Sequence, residues 1–128
     1  MKLKKQEAII CDIHGTLINH DGTINEDIVI MLCALRDTYS ILLVTAHYYE
    51  NAEQIVSEIK RTNLAWSSHF YYNTNKSDND DAFIKEFIYH DEIKDVFDVK
   101  MVIDNNKDCI KMFRKLGLST MRFKKGDE

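Results

Sequence analysis

Three short polar clusters each follow an apolar run: Asp12-Ile-His14 after Glu7 to Cys11, Thr45-Ala-His47 after Ser40 to Val44, and Asp104-Asn-Asn106 after Val99 to Ile103. Carboxylates at the ends of neighbouring strands converge at one edge of a sheet. Asp12 and Asp104 could therefore share a hard cation through oxygen ligands, the donor type that Mg²⁺ takes, with a phosphate oxygen and waters completing the octahedron. Around such a centre Thr45 offers a hydroxyl, Gly15 and Thr16 offer backbone N–H groups, and a lysine would add positive charge for a phosphate. The alternative is that Asp12 and Asp104 merely end strands or cap turns. Spacing alone leaves both readings standing.

The elements that would position these clusters alternate along the chain. Glu7 to Cys11 and Ser40 to Thr45 read as buried strands, His69 to Tyr72 as a weaker one, and Val99 to Ile103 and Leu118 to Phe123 as two more. Between them, Thr23 with Glu26 forms a capping-box pattern ahead of a helix over about 25–37, with Ile28, Val29, Leu32 and Cys33 inward. A second helix spans about 49–61, with Ile55, Val56 and Ile59 inward. A third opens at Asp80 or Asp81, with Phe83, Ile84, Phe87 and Ile88 on one face, and a fourth covers 107–116 and is stopped by Gly117. The polar stretch 73–80 is the connection expected to move. Strand–helix alternation of this kind predicts an α/β fold, a parallel sheet of about five strands with helices on both faces and ligands outside the carboxyl ends of the strands.

Composition sets the frame. The 128 residues are 45% hydrophobic and 30% charged, with four glycines and no proline, which suits one domain over 1–128 stabilised by packing alone. Cys11, Cys33 and Cys109 lie in apolar runs and are odd in number, so they read as core thiols in a reducing compartment. The basic N-terminal segment is followed by too few apolar residues for a signal sequence, and no run approaches the roughly 18 residues of a membrane span. A cytoplasmic protein with no membrane partner is expected.

The net charge of −4 weighs against a dedicated nucleic-acid-binding module. Lys107, Lys111, Arg114, Lys115, Arg122, Lys124 and Lys125 nevertheless make the C-terminal quarter basic, either as a solvated face or as a track for phosphates. His20, His69 and His90 read as surface or strand-end residues without zinc-ligand spacing. Trp66 is assigned to the rim of the core. Tyr48, Tyr49, Tyr71 and Tyr72 suit packing more than base stacking. His47 is either a contact to a substrate phosphate or a residue leading into the second helix.

The segment Cys11-Asp12-Ile13-His14-Gly15-Thr16-Leu17 resembles the first signature, DxDGT plus an apolar residue, of the haloacid dehalogenase (HAD) superfamily of aspartate-nucleophile phosphatases. Val44-Thr45 is similar to its second motif, and Val102-Ile103-Asp104-Asn105 to its fourth. Within that superfamily, Asp80-Asp81-Ala-Phe-Ile-Lys85-Glu, Val96 to Asp104 and Lys111 to Gly117 resemble the 3′-phosphatase domain of phage-type polynucleotide kinase/phosphatases, with Lys85 at the third-motif lysine. The resemblance implies a Rossmann-like HAD core in which Asp12 attacks phosphorus, Thr45 and Lys85 hold the phosphoryl oxygens, and Mg²⁺ is bound by Asp12, Asp104 and the main-chain carbonyl of His14. It also implies that Asp81, one turn before Lys85, orients that lysine, and that Gly15, Thr16, Ala46, His47 and Asp81 line the substrate.

Three residues depart from the family pattern. His14 stands where the family has its acid/base Asp, Asn105 replaces the second acid of the fourth motif, and His47 stands for an arginine of the phage relatives. An imidazole, with an ordinary pKa of about 6.5 against about 3.9 for Asp, could protonate a departing alkoxide and then deprotonate water near neutral pH. The alternative is a catalytically weak or inactive relative that binds phosphate or a partner. The connections beside the first and third motifs are too short for an inserted cap domain, so the site should be open to a phosphorylated nucleotide or nucleic-acid end. No GxxxxGK[ST] loop occurs, so no kinase domain is expected in this chain.

Overall fold

The computed structural model describes residues 4–125, so the ends of the expected 1–128 domain, 1–3 and 126–128, lie outside the described residues. Strands and helices alternate as β1 (Gln6–Asp12), α1 (Glu26–Leu35), β2 (Ser40–Tyr48), α2 (Ala52–Ile59), β3 (Ser68–Asn73), α3 (Asp81–Ile88), a π-helical turn (Tyr89–Ile93), β4 (Phe97–Asp104), α4 (Lys107–Lys115) and β5 (Thr120–Arg122). The strands form one parallel sheet in the order β3-β2-β1-β4-β5. The chain steps outward from β1 to β3 and then crosses to β4, so the order reverses between β1 and β4. A crevice opens at such a switch point, beyond the carboxyl ends of the strands.

Side chains alternate across each strand, so one apolar run feeds two cores. Ile9, Cys11, Ile41, Leu43 and Ile103 face the layer that contains Ile28, Val29 and Leu32 of α1 and Ile55 and Ile59 of α2. Ala8, Ile10, Leu42, Val44 and Val102 face Ile84 and Ile88 of α3 and Cys109, Met112 and Phe113 of α4. Both faces of β1 are thereby covered, which explains why its sequence reads as unbroken apolar residues rather than alternating ones. Among the described residues no cap domain interrupts the alternation, and no helix is long and apolar enough to cross a membrane.

Four local expectations are corrected: the cap of α1, the end of β2, the inward face of α3 and the place of Trp66. Thr23 does not cap α1: its hydroxyl and N–H both donate to Asp21, and Asn25 holds the N-cap position while its side chain donates to the Thr16 carbonyl. Instead of ending at Thr45, β2 runs on through Ala46, His47 and Tyr48, and α2 begins only at Ala52. On α3 the inward face is Ile84, Lys85 and Ile88, whereas Phe83 and Phe87 are 57% and 56% exposed. Trp66 is 95% exposed and is no part of the core rim. Cys11 and Cys109 are buried, and Cys33 is half-buried. The 73–80 connection is organised by Asn73, whose Oδ1 accepts from the N–H groups of Asn75 and Ser77 while its Nδ2 donates to the Ser77 carbonyl.

Candidate active site

The register that pairs Cys11 with Ile103 sets Asp12 and Asp104 side by side at the ends of β1 and β4. Both are buried, and a third buried polar side chain meets them from the helical layer. Lys85 lies between Ile84 and Ile88 on the inward side of α3, and its Nζ donates to Asp12 Oδ1 and to Asp104 Oδ2, each at 2.7 Å. Asp12 Oδ2 also accepts from the Thr16 hydroxyl at 3.0 Å, and Asp104 Oδ1 from the Asn106 N–H at 3.0 Å. One ammonium faces two carboxylates, leaving one negative charge in excess.

The electrostatics follow from that imbalance. Removal from water, reinforced by Asp104, outweighs the attraction of Lys85 and pushes the Asp12 carboxyl up to about 6. The two carboxylates hold the Lys85 ammonium firmly protonated against the cost of its burial. Burial pushes the Cys109 thiol behind them up to about 12, the nearby lysine offsetting only part of the shift.

Thr45 sits one residue beyond the Asp12–Val44 pair, and its Oγ1 accepts from the His47 N–H at 3.1 Å. His14 Nδ1 is 3.0 Å from the same Thr45 oxygen, while its Nε2 is 3.1 Å from the Tyr49 hydroxyl and 3.4 Å from Glu58 Oε2. Tyr49 donates to Glu58 at 2.8 Å, and the His47 ring stacks on His14 with centroids 3.8 Å apart. Burial and the neighbouring His47 lower the His14 pKa, against the pull of Glu58. His47 is thus an exposed strand residue against His14, not a lead into α2.

A cleft of about 660 Å³ opens over this cluster, reached by Asp12, His14, Thr45, Ala46, His47, Asp81 and Lys85, with Asn105 and Asn106 on one wall. The loop after β1 contributes Ile18, Asn19, His20 and Gly22 to another wall, so His20 borders the cleft despite its bland sequence context. Gly15 and Thr16 do not offer their N–H groups to a ligand: Gly15 N donates to the Ile18 carbonyl and Thr16 N to the Ile13 carbonyl, closing the turn after β1. Gly15 instead supplies space and a φ of +92°, since a Cβ there would lie 2.5 Å from Asn105 Nδ2. Asp81 reaches the cleft wall but makes no hydrogen bond to Lys85, whose orientation comes from Asp12 and Asp104. Glu58 and Tyr49 were not legible as partners of His14, because contacts from the turn after β1 to α2 and to the segment before it follow no sequence spacing.

Comparison with known proteins follows the same outline. The family model described as the polynucleotide kinase PNKP phosphatase domain matches residues 6–127. A chain in the structure of the Pnkp1/Rnl/Hen1 complex superposes with a TM-score of 0.82 at 19% identity, over 99% of this chain and 49% of that one. A chain in the structure of the Pnkp1/Rnl/Hen1 RNA repair complex gives 0.82 at 18% identity, over 97% and 44%. The present chain therefore spans about half the length of those it matches, and at these identities the likeness shows the fold. The search of curated proteins finds no match.

Proposed function

The chain belongs to the HAD-type family of polynucleotide kinase PNKP phosphatase domains, and from that premise we propose that it hydrolyses phosphomonoesters, on a nucleotide or nucleic-acid 3′-phosphate, with Asp12 as nucleophile. The observation that carries the reading is the Asp12–Lys85–Asp104 cluster at the floor of an open cleft. Its residues sit on strand ends and a packed helix, which positions them together, and among the described residues no cap covers the cleft.

The donors fit Mg²⁺. Asp12 and Asp104 carry one negative charge in excess over Lys85, and with the main-chain carbonyl of His14 they would supply an all-oxygen set, which suits a hard cation bound by few protein ligands. Among the described residues no three His, Cys, Asp or Glu side chains gather as a dedicated metal cage, and Mg²⁺ does not need one. When bound, it would polarise the phosphoryl group and offset its charge.

In the first step an Asp12 carboxylate oxygen bonds to phosphorus as the ester P–O bond breaks, and the departing alkoxide takes a proton from His14. In the second, His14 takes a proton from water, the resulting oxygen nucleophile attacks phosphorus, and the Asp12–phosphorus bond breaks to release phosphate and the carboxylate. Lys85 and Thr45 steady the phosphoryl oxygens, and Ala46, His47 and Asp81 border the leaving group.

A second reading, a weak or inactive relative that binds phosphate or a partner, draws on the way His14 is held. Both ring nitrogens already face partners, Thr45 on one side and Tyr49 with Glu58 on the other. General acid–base help is worth roughly 10² to 10⁴ in rate, so a His14 kept in that network would leave a slow enzyme.

The test is Mg²⁺-dependent phosphate release from para-nitrophenyl phosphate, 3′- and 5′-nucleotides and 3′-phosphorylated oligonucleotides, with Asp12→Asn as control. Release that disappears in Asp12→Asn and favours 3′-phosphates supports the first reading. No release above the control overturns it, and a large gain in His14→Asp favours the second.

A further inference from the structure

Residues 107–125 contain seven Lys and Arg side chains and a single acid, Asp108, in a chain whose net charge is −4. The fold brings five of these cations to one surface. Lys107, Lys111, Arg114 and Lys115 of α4 and Arg122 of β5 are exposed and border a groove of about 520 Å³ floored by Ile110. Lys107, Lys111 and Lys115 recur every four residues, which keeps them on one helix face over about 12 Å. None of the five pairs with a carboxylate among the described residues. Like charges gathered without counter-charges repel one another, and a polyanion laid along them removes that cost.

Both guanidinium groups of the groove are tied in place rather than free to swing. Arg114 Nε donates to Thr120 Oγ1 at 2.8 Å, and Arg122 Nε donates to the Asn105 carbonyl at 3.0 Å. The second bond fixes where the groove leads, because Asn105 and the N-cap residue of α4, Asn106, both line the cleft over Asp12. The basic surface therefore begins at the wall of the cleft and runs away from it along α4. Its lining includes no aromatic side chain on which a base could stack, so its complement is a row of phosphates rather than exposed bases.

We propose that the α4/β5 groove carries the sugar-phosphate backbone of the polynucleotide strand whose 3′-phosphate occupies the cleft, contacting the nucleotides upstream of the reacting end. This rests on the phosphatase reading above. The contacts are to phosphates, so they add affinity for length without selecting sequence and weaken with salt.

The experiment compares the wild type with Lys111→Glu/Arg114→Glu and with the milder Lys111→Gln/Arg114→Gln. The first readout is kcat/KM for a 3′-nucleotide and for 3′-phosphorylated oligonucleotides of increasing length. The second is binding of a labelled single strand with a 3′-hydroxyl, followed by anisotropy across a salt series. The expected result is an unchanged rate on the mononucleotide and a loss of about tenfold or more on long strands in the Glu variant, with a smaller loss in the Gln variant. The slope of log affinity against log salt should flatten by about 1.4, for two contacts at about 0.7 each on a single strand. Equal oligonucleotide affinity and equal slope in wild type and both variants would overturn the proposal. So would a polyglutamate chain that binds as tightly as the oligonucleotide and loses as much in the variants, since the groove would then accept an acidic protein segment. If no ester is hydrolysed at all, the phosphatase reading fails separately, and the binding series still decides the groove.

Discussion

Lys85 is the residue on which the cluster depends, because among the described residues it is the one cation facing these two buried carboxylates. Removing one partner of a buried ion pair leaves uncompensated charge and costs about 3–5 kcal/mol. Lys85→Met keeps the aliphatic length but leaves Asp12 and Asp104 facing each other, so metal-free protein should lose stability on that order in urea denaturation. The same imbalance makes a second outcome specific to this geometry. Mg²⁺ should raise the melting temperature of Lys85→Met by more than that of the wild type, because the ion then supplies the missing positive charge. Equal shifts, or none, would show that the two carboxylates are not where the ion binds. Asp12, Thr45 and Asp104 could be picked out in the sequence because each follows an apolar run. The contact between Lys85 and both carboxylates could not be, since it joins positions 73 and 19 residues apart across two layers. The pinning of His14 by Tyr49 and Glu58 escaped for the same reason.

Elements were legible where an apolar pattern had only one use and illegible where tertiary packing chose among several. All five strands and four helices were expected in order, and the parallel sheet with helices on both faces follows from them. The face of α3 was misread, because Phe83 and Phe87 satisfy the same helical repeat as Ile84 and Ile88 and the sequence does not say which set meets the sheet. The structure turns that ambiguity into a contrast. Ile88→Ala should cost about 2–5 kcal/mol through the cavity it leaves beside Ile84 and Phe113. Phe87→Ser, one position away but exposed, should stay within about 0.5 kcal/mol in the same urea titration. The turn after β1 offers a backbone counterpart. Gly15→Ala must hold a φ of +92° and push aside Asn105, for a cost of about 1–2 kcal/mol from the backbone alone. Adding Asn105→Ala should recover the part due to the clash and leave the backbone part, a split that a double-mutant cycle measures.

At the scale of the whole molecule, the sheet order decides how firmly the site is held. β1 is central, flanked by β2 and β4 along its edges and covered by helices on both faces, whereas β3 and the three-residue β5 form the two edges. Asp12, Thr45 and Asp104 extend from the three inner strands, so the carboxylates and hydroxyl rest on the part of the molecule with the most strand pairing and burial. Lys85 reaches them from α3, which is seated on the sheet by Ile84 and Ile88, and so its place depends on helix packing rather than on strand pairing. Native-state hydrogen exchange should therefore grade the amides in a fixed sequence. Ala8 to Cys11, Ile41 to Val44 and Val102 to Ile103 should exchange only with global unfolding, α3 at lower free energy, and β5 first among the strands. Ile84→Ala would then speed exchange in α3 while leaving the inner strands tied to the global value, and activity would fall further than stability, because the lysine is loosened while the carboxylates stay fixed. Exchange of α3 in step with β1 in both proteins would contradict this division, and would mean that strand ends and helix hold the site as one cooperative unit.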